Sequence, residues 1–263
     1  MKKGTLLSVV IFFMAACTYG QGELDTQKKI FYRNEKSGAI LLNSNGYGLS
    51  YRYGKWLNDR NKKLYEIEFN HIIHAKEVKF PYYSYYNTSS FVYGKLNTLF
   101  TLRGGPGFQH EIFQKADRGG ISIRSIFAGG LSIALYKPVY YDVIVMGTVP
   151  GQVIGKESKK FTVDMQPSEI IGRSSFFKGL DETKVLPGIY GKAGYSFEYS
   201  PLDQAIHALE LGVSLELFPR KIPIMYTEKN SFYYFAFFIS YRFGKIINTQ
   251  ASTVSDISNS AEK

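Results

Sequence analysis

Most of the chain after residue 45 consists of segments in which apolar and polar side chains alternate at every second residue. Successive side chains of a β-strand point to opposite faces, so this alternation indicates strands that separate two environments. The clearest segment covers residues 206–218, where one face carries Leu209, Leu211, Val213, Leu215 and Leu217. Between residues 208 and 216, the opposite face carries only small residues and glutamates.

Eight segments of this kind predict eight strands of about 9–13 residues, near the length that a tilted strand needs to cross a bilayer. They cover residues 46–56, 64–71, 91–102, 107–115, 121–135, 189–199, 206–218 and 232–243. Clusters of turn-forming residues at 58–61, 104–107, 117–120 and 200–203 separate several of them. Additional strands near 39–42 or 139–145 would raise the number to ten. The best helix candidate is short and covers residues 167–178.

The two faces of the predicted strands differ in a way that favours a membrane barrel. Five tyrosines lie near the strand ends on the apolar face, where amphipathic rings sit at a membrane–water boundary: Tyr47, Tyr65, Tyr195, Tyr199 and Tyr241. The other face is rich in Gly, Ser and Ala. We therefore predict an all-β, up-and-down antiparallel transmembrane β-barrel of about eight strands. A soluble lipocalin-like barrel, with the same apolar face turned inward, is the alternative.

Isolated charged residues occur among the small side chains of the polar face. The interior of an eight-stranded barrel is just wide enough for its own side chains, and buried charges need partners. The pattern therefore predicts a charge network in the lumen. Its candidate members are Arg52, Glu66, Glu68, Lys192, Glu198, Glu210, Glu216 and Arg242.

Composition and the N-terminal residues restrict the class of protein further. One cysteine excludes a disulfide scaffold, and no segment after the N-terminal region offers the roughly 18 consecutive apolar residues of a membrane-spanning helix. Residues 1–20 combine Lys2 and Lys3 with a short apolar core, which predicts a secretory signal peptide cleaved before Gln21. Cleavage before a lipidated Cys17 is the alternative. We expect a periplasmic segment at 21–37, the barrel at 38–244 and a disordered tail at 245–263.

Several motifs resemble an uncharacterised family of outer-membrane β-barrel proteins from Bacteroidetes-type bacteria. They are GYGLSYRYGK (46–55), FVYGKLN (91–97), RGG (118–120), LYKPVY (135–140) and FFKGLDE (176–182). The similarity covers roughly residues 30–245. It implies the barrel fold and a location in the bacterial outer membrane, but it implies no activity. Strands of this class commonly end the chain, whereas here 19 residues follow Gly244.

An even number of strands places both termini on the periplasmic side of an outer-membrane barrel. The short turns at 116–120 and 200–205 then face the periplasm, and residues 136–187 form the main extracellular loop. The same parity would place the long loop 75–90 in the periplasm, against the usual asymmetry. This conflict indicates either the additional strand near 39–42 or an exception.

The chain carries an excess of positive charge, with 32 Lys and Arg against 22 Asp and Glu, a formal charge of +10. Without the two lysines of the signal peptide, 30 basic residues face 22 acidic ones, which leaves +8. Cations near a membrane surface are attracted to anionic headgroups, so the long loop offers candidate contacts to outer-membrane lipid or lipopolysaccharide: Lys156, Lys159, Lys160, Arg173 and Lys178. Simple solvation of the loop explains them equally well. A secreted barrel does not meet nucleic acid.

Candidate chemistry is sparse, and we predict no catalytic, cofactor-binding or metal-ligating residue. His71 and His74 are three residues apart on a strand, which places them on opposite faces. His110 and His207 lack a recognisable serine partner of the kind that hydrolases use. We expect a structural or interaction role, as a subunit or docking partner of an envelope complex. A small-solute channel and a lipid-modifying outer-membrane enzyme are the alternatives.

Overall fold

The computed structural model describes residues 34–58, 60–84, 87–115, 120–146, 153–199, 205–226 and 229–247. The predicted signal peptide, Cys17, most of the periplasmic segment and nearly all of the predicted tail lie outside these residues. No helix in the described part of the chain is both long enough and apolar enough to cross a membrane.

Thirteen strands form in the described residues, and eight of them close into a barrel. The barrel strands are β1 (Asn34–Asn43), β2 (Gly46–Trp56), β3 (Asn61–Ile72), β6 (Asn97–Phe113), β7 (Ser122–Pro138), β11 (Lys184–Glu198), β12 (Ala205–Leu217) and β13 (Tyr233–Ile247). The remaining strands are β4 (Lys79–Ser84), β5 (Asn87–Val92), β8 (Tyr140–Met146), β9 (Val153–Lys160) and β10 (Ile170–Arg173).

Each barrel strand pairs antiparallel with its neighbours along the chain, and β1 pairs with β13 to close the cylinder. The closing register runs from Asn34 opposite Ile247 to Asn43 opposite Phe238. The predicted fold class, an all-β up-and-down barrel of eight strands, is confirmed. The barrel begins four residues earlier and ends three residues later than the predicted span 38–244.

Two errors in the predicted strands cancel in the count. The strand near 39–42 exists as β1. Most of the two segments 91–102 and 107–115 forms the single strand β6, while Phe91 and Val92 end β5. The predicted turn at 104–107 is wrong, because all four residues pair with β3, and Gly104 and Gly107 also pair with β7. A Cβ at Gly105 would lie 2.2 Å from the carbonyl oxygen of Gly129, and one at Gly130 would lie 2.3 Å from that of Gly104. These glycines allow the backbones of β6 and β7 to approach each other closely.

The three longest connections all lie at one end of the barrel, and the opposite end has only shorter ones. One end, called here the terminal end, holds both ends of the barrel chain and the connections 57–60, 114–121 and 199–204. The opposite end, the loop end, holds the turn 44–45 and the longer connections 73–96, 139–183 and 218–232. Because β1 restores the parity, the loop 75–90 lies with the other long loops and the predicted conflict disappears.

The five remaining strands form a small module at the loop end. The hairpin β4–β5 and the three-stranded sheet β10-β8-β9 share an apolar core, and we call them the loop module. Its core consists of Phe91, Val139, Tyr141, Val143, Met165 and Ile170. Residues 139–145 therefore lie in the module and add no strand to the barrel. The helix predicted at 167–178 is wrong, since only Pro167–Glu169 are helical, as a 3-10 turn, and β10 follows directly.

The barrel is apolar outside and polar inside. Leu131 is 71% exposed, Phe237 63% and Leu49 60%, although all three lie in the middle of regular strands. Charged residues such as Arg52 and Glu68 are buried in the interior instead. A soluble barrel buries its apolar face, so this arrangement excludes the lipocalin-like alternative and is that of a barrel surrounded by lipid.

Candidate functional site: the barrel interior and the loop module

Eight charged side chains meet in the middle of the barrel, and we call them the central network. Its members are Arg52, Glu66, Glu68, Arg103, Lys192, Glu210, Glu216 and Arg242. Four are acidic and four are basic, so the network has no net formal charge. None of the eight side chains is more than 4% exposed.

One half of the network is centred on Glu210. Its carboxylate accepts hydrogen bonds from Arg52 at 2.6 Å and from Arg242 at 2.9 Å. Both arginines also donate to Glu66, at 2.9 Å and 2.8 Å. These residues come from β2, β3, β12 and β13, so the ion pairs connect strands on both sides of the β1 closure.

The other half of the network is centred on Glu68. Its carboxylate accepts from Lys192 at 2.5 Å and from Arg103 at 2.5 Å. Arg103 continues to Glu216 at 3.1 Å, and the hydroxyl of Ser132 donates to the same carboxylate at 2.6 Å. These ion pairs connect β11, β3, β6 and β12, and Lys192 also lies 3.5 Å from Glu66, which joins the two halves of the network.

The structure joins seven of the eight predicted lumen residues in this network. Glu198 lies apart from them, nearer the terminal end. Arg103 was missed by the sequence reasoning, because the predicted strand 91–102 stopped just before it. Alternation from Thr101 through Arg103 to Gly105 would have placed Arg103 on the lumen face, had the glycine cluster not been interpreted as a turn.

Glu198 belongs to a second group of charges, the terminal cluster. Arg124 pairs with Glu198 and with Glu111, the latter at 3.1 Å, and Lys115 lies 3.5 Å from Glu198. Lys62 pairs with Glu35 at 2.6 Å and lies 4.3 Å from the centre of the Trp56 ring. Three basic and three acidic residues fill this end of the lumen, again without net formal charge.

An apolar plug closes the lumen at the loop end. Phe218, Ile222, Ile224 and Met225, from the β12–β13 connection, pack against the inward-facing ends of four strands. Those ends contribute Ile72, Leu99, Ala134, Tyr136 and Leu186. Backbone hydrogen bonds hold the plug to the β5–β6 connection, from Leu96 to the carbonyl of Ile224 and from Tyr226 to that of Gly94.

The five cations predicted to contact lipid all lie in the connection 139–183. Lys156 pairs with Asp142 at 3.4 Å, Lys159 with Glu157 at 2.8 Å, and Lys160 with Glu182. The hydrogen bond from Lys160 lowers the pKa of Glu182. Arg173 donates to the hydroxyl of Thr98 at 3.3 Å, and Lys178 lies 5.5 Å from the centre of the Tyr140 ring. Three of the five cations thus have an acidic partner within the same connection.

Histidines are the side chains most often used for acid–base catalysis and metal binding. His110 Nδ1 lies 2.7 Å from the side-chain oxygen of Asn61, and Ser125 is its cross-strand neighbour on β7. The hydroxyl of Ser125 donates to the backbone carbonyl of His110 at 3.4 Å, so the nucleophile–base hydrogen bond of a serine hydrolase is not formed in this arrangement. Within the described ranges, no three His, Cys, Asp or Glu residues are grouped so that they could hold a metal ion.

Comparison with known proteins finds similar folds among solved outer-membrane barrels. The attachment invasion locus protein Ail of Yersinia pestis is 9% identical, with 83% of this chain and 100% of that chain covered at a TM-score of 0.36. The N-terminal β-barrel domain of Pseudomonas aeruginosa OprF is 7% identical (81% and 98% covered, TM-score 0.32). Neisserial surface protein A is 10% identical (81% and 96% covered, TM-score 0.34). No protein-family model matches the chain, and no curated protein matches its sequence.

Proposed function

We propose that the protein is a non-conducting barrel of the bacterial outer membrane that holds the loop module at the cell surface as a docking site for another envelope protein. The observation that carries this proposal is the filled interior. The terminal cluster, the central network and the apolar plug occupy the lumen in sequence from one end to the other. Such a barrel suits a membrane anchor, because its own side chains fill the lumen and leave the loops as the part that can bind a partner.

The interior argues against the small-solute channel. Solute passage needs a continuous polar path, whereas the central network is buried and each of its carboxylates is already paired with a cation. Opening a path would separate these buried ion pairs, which is strongly unfavourable. The proposal includes no enzymatic step.

The loop module is the part that we propose for docking. It has its own apolar core, yet several apolar side chains remain at its surface: Ile154 is 66% exposed, Phe177 75% and Val163 60%. The strand β9 is an edge of the three-stranded sheet, and edge strands offer unpaired backbone groups to a partner. The outer-membrane location and the Bacteroidetes-type relationship belong to the same proposal. They rest on the inside-out barrel and on the sequence motifs.

Substitution of Ile154 and Phe177 by serine tests the docking role. We expect the variant to fractionate with the outer membrane and to show the heat-modifiable gel migration of a folded barrel. A partner that co-purifies with the wild-type protein in mild detergent should be lost. The Ile67→Ser variant, altered on the lipid face, serves as the control and should retain the partner. Retention of the same partner by the double variant, or its absence from the wild-type preparation, would contradict the proposal.

A further inference from the structure

A cavity of about 420 Å³ lies outside the barrel wall at the loop end, beneath the overhanging loop module. Its inner wall is formed by Tyr47, His71 and Ile73 near the rim of β2 and β3, and its cover includes Phe91 and Tyr141 of the module core. The cavity is therefore neither in the lumen nor on the exposed top of the module. It opens where the barrel wall meets the loops.

The described residues that line this cavity include three cations and one carboxylate: Lys79, Lys95, Arg173 and Glu77. Glu77 is already engaged, because it accepts from Lys95 Nζ at 2.5 Å and from the backbone of His74 at 3.1 Å. No acidic side chain in the described parts of the chain pairs with Lys79 or Arg173. The lining thus carries a formal excess of two positive charges.

Buried hydrogen bonds fix the position of Lys95. The hydroxyl of Tyr141 accepts from the backbone N–H of Lys95 at 3.0 Å and donates to the carbonyl of Val92 at 2.6 Å. Burial lowers the pKa of Lys95, Glu77 raises it, and the nearby Arg173 lowers it again. The positive charges of Lys95 and Arg173 therefore repel each other, and a bound anion would reduce this repulsion.

Arg173 is also held in place. It donates to Thr98 at 3.3 Å, and its guanidinium lies 5.9 Å from the centre of the Phe176 ring. Thr98 is buried under the module on the outer wall of β6. These contacts orient a planar, always charged group with donors left for a ligand, which is the type of group that binds phosphate in a bidentate manner.

The cavity lies at the level expected for lipid headgroups. The ring of His71 packs between Tyr47 and Phe100, with ring centres 5.2 Å and 5.0 Å apart, in a belt of aromatic side chains on the outer wall. Towards the barrel middle, Leu49 and Phe69 of the same strands are exposed to lipid. A molecule bound in the cavity therefore meets cations on one side and an apolar wall on the other.

We propose that this cavity binds the phosphate group of a lipid from the surrounding leaflet, with Lys79 and Arg173 in direct contact and Lys95 adding charge behind them. The acyl chains then lie along Leu49 and Phe69. The inference rests on the proposed membrane location. The proposed docking role does not require a bound lipid, so the lipid site goes beyond it. A phosphate on a soluble molecule shares the chemistry of the headgroup but lacks the apolar part that the wall would hold.

Native mass spectrometry of the protein released from nanodiscs provides the test. The nanodiscs contain phosphatidylcholine with a minor fraction of phosphatidic acid, whose phosphate monoester is the probe. We expect the wild-type protein to retain phosphatidic acid selectively, and K79Q/R173Q to lose this selectivity by on the order of tenfold or more. The control K156Q/K159Q removes the same charge from two exposed lysines outside the cavity, which already pair with Asp142 and Glu157, and it should retain the selectivity.

A conservative variant and a competition experiment separate the lipid site from a folding defect and from a soluble ligand. R173K keeps the charge without the planar fork and should retain phosphatidic acid at an intermediate level, which also guards against a folding defect in the double variant. Equal losses in K79Q/R173Q and K156Q/K159Q, or no loss in either, would overturn the site. Displacement by free glycerol phosphate at concentrations equal to the lipid would assign the cavity to a soluble ligand. Failure of the chain to assemble into nanodiscs as a heat-modifiable barrel would refute the membrane proposal itself.

Discussion

At the scale of single residues, the interior depends on charges that compensate one another. Glu210 is completely buried and accepts hydrogen bonds from Arg52, Arg242 and Ser240. Removal of its carboxylate leaves two buried guanidinium groups that share only Glu66. Surface pairs such as Lys159–Glu157 are more than half exposed, and water replaces the lost partner there. The same chemical change should therefore have very different effects at the two positions.

We expect Glu210→Ala to lower the free energy of unfolding by about 3–5 kcal/mol, the cost of leaving buried charges unpaired. Glu157→Ala should lower it by less than about 1 kcal/mol, as for exposed ion pairs. Urea titration in lipid vesicles, followed by the fluorescence of the single tryptophan, Trp56, measures both. An effect of Glu210→Ala as small as that of Glu157→Ala would show that the central network adds nothing to stability.

At the scale of elements, sequence reasoning found those strands in which one face is apolar and the other is not. It identified β2, β3, β11, β12 and β13 in this way. It left β1 out of the eight strands and offered it only as an additional strand near 39–42, because these residues are apolar on both faces: Ala39 and Leu41 are buried inside, while Ile40 and Leu42 face outward. It divided β6 because Gly and Pro have the same local signature in a turn and in a strand that approaches its neighbour closely.

Matched alanine substitutions test the close approach of β6 and β7. A Cβ at Gly130 would lie 2.3 Å from the carbonyl oxygen of Gly104 and 2.7 Å from the Cα of Gly105, so the two backbones must separate. We expect Gly130→Ala to lower the free energy of unfolding by about 1–3 kcal/mol, as for overpacked interiors. No atom lies within 4 Å of a Cβ at Gly191, and Gly191→Ala should be neutral or stabilising. The temperature to which a sample must be heated before its folded band disappears from a gel ranks the variants. A reversed ranking would contradict the pairing register of β6 and β7.

At the scale of the whole molecule, the lumen is filled in three layers and the loops are concentrated at one end. Alternation placed seven members of the central network on the correct face, because it reports the direction of side chains in a strand. It carried no information on the apolar plug, since Ile222 and Ile224 lie in an irregular connection whose burial depends on the barrel mouth. The cavity of Lys79 and Arg173 was equally invisible, because it brings together residues from separate loops.

Single-channel recording in planar lipid bilayers tests the central claim most directly. The folded wild-type protein, inserted beside a porin control, should produce no current steps above those of the protein-free bilayer. This result is expected because, in the described part of the chain, the terminal cluster, the central network and the apolar plug occupy the lumen from one end to the other. Reproducible conductance steps from the heat-modifiable, folded protein would contradict the account and would favour the small-solute channel.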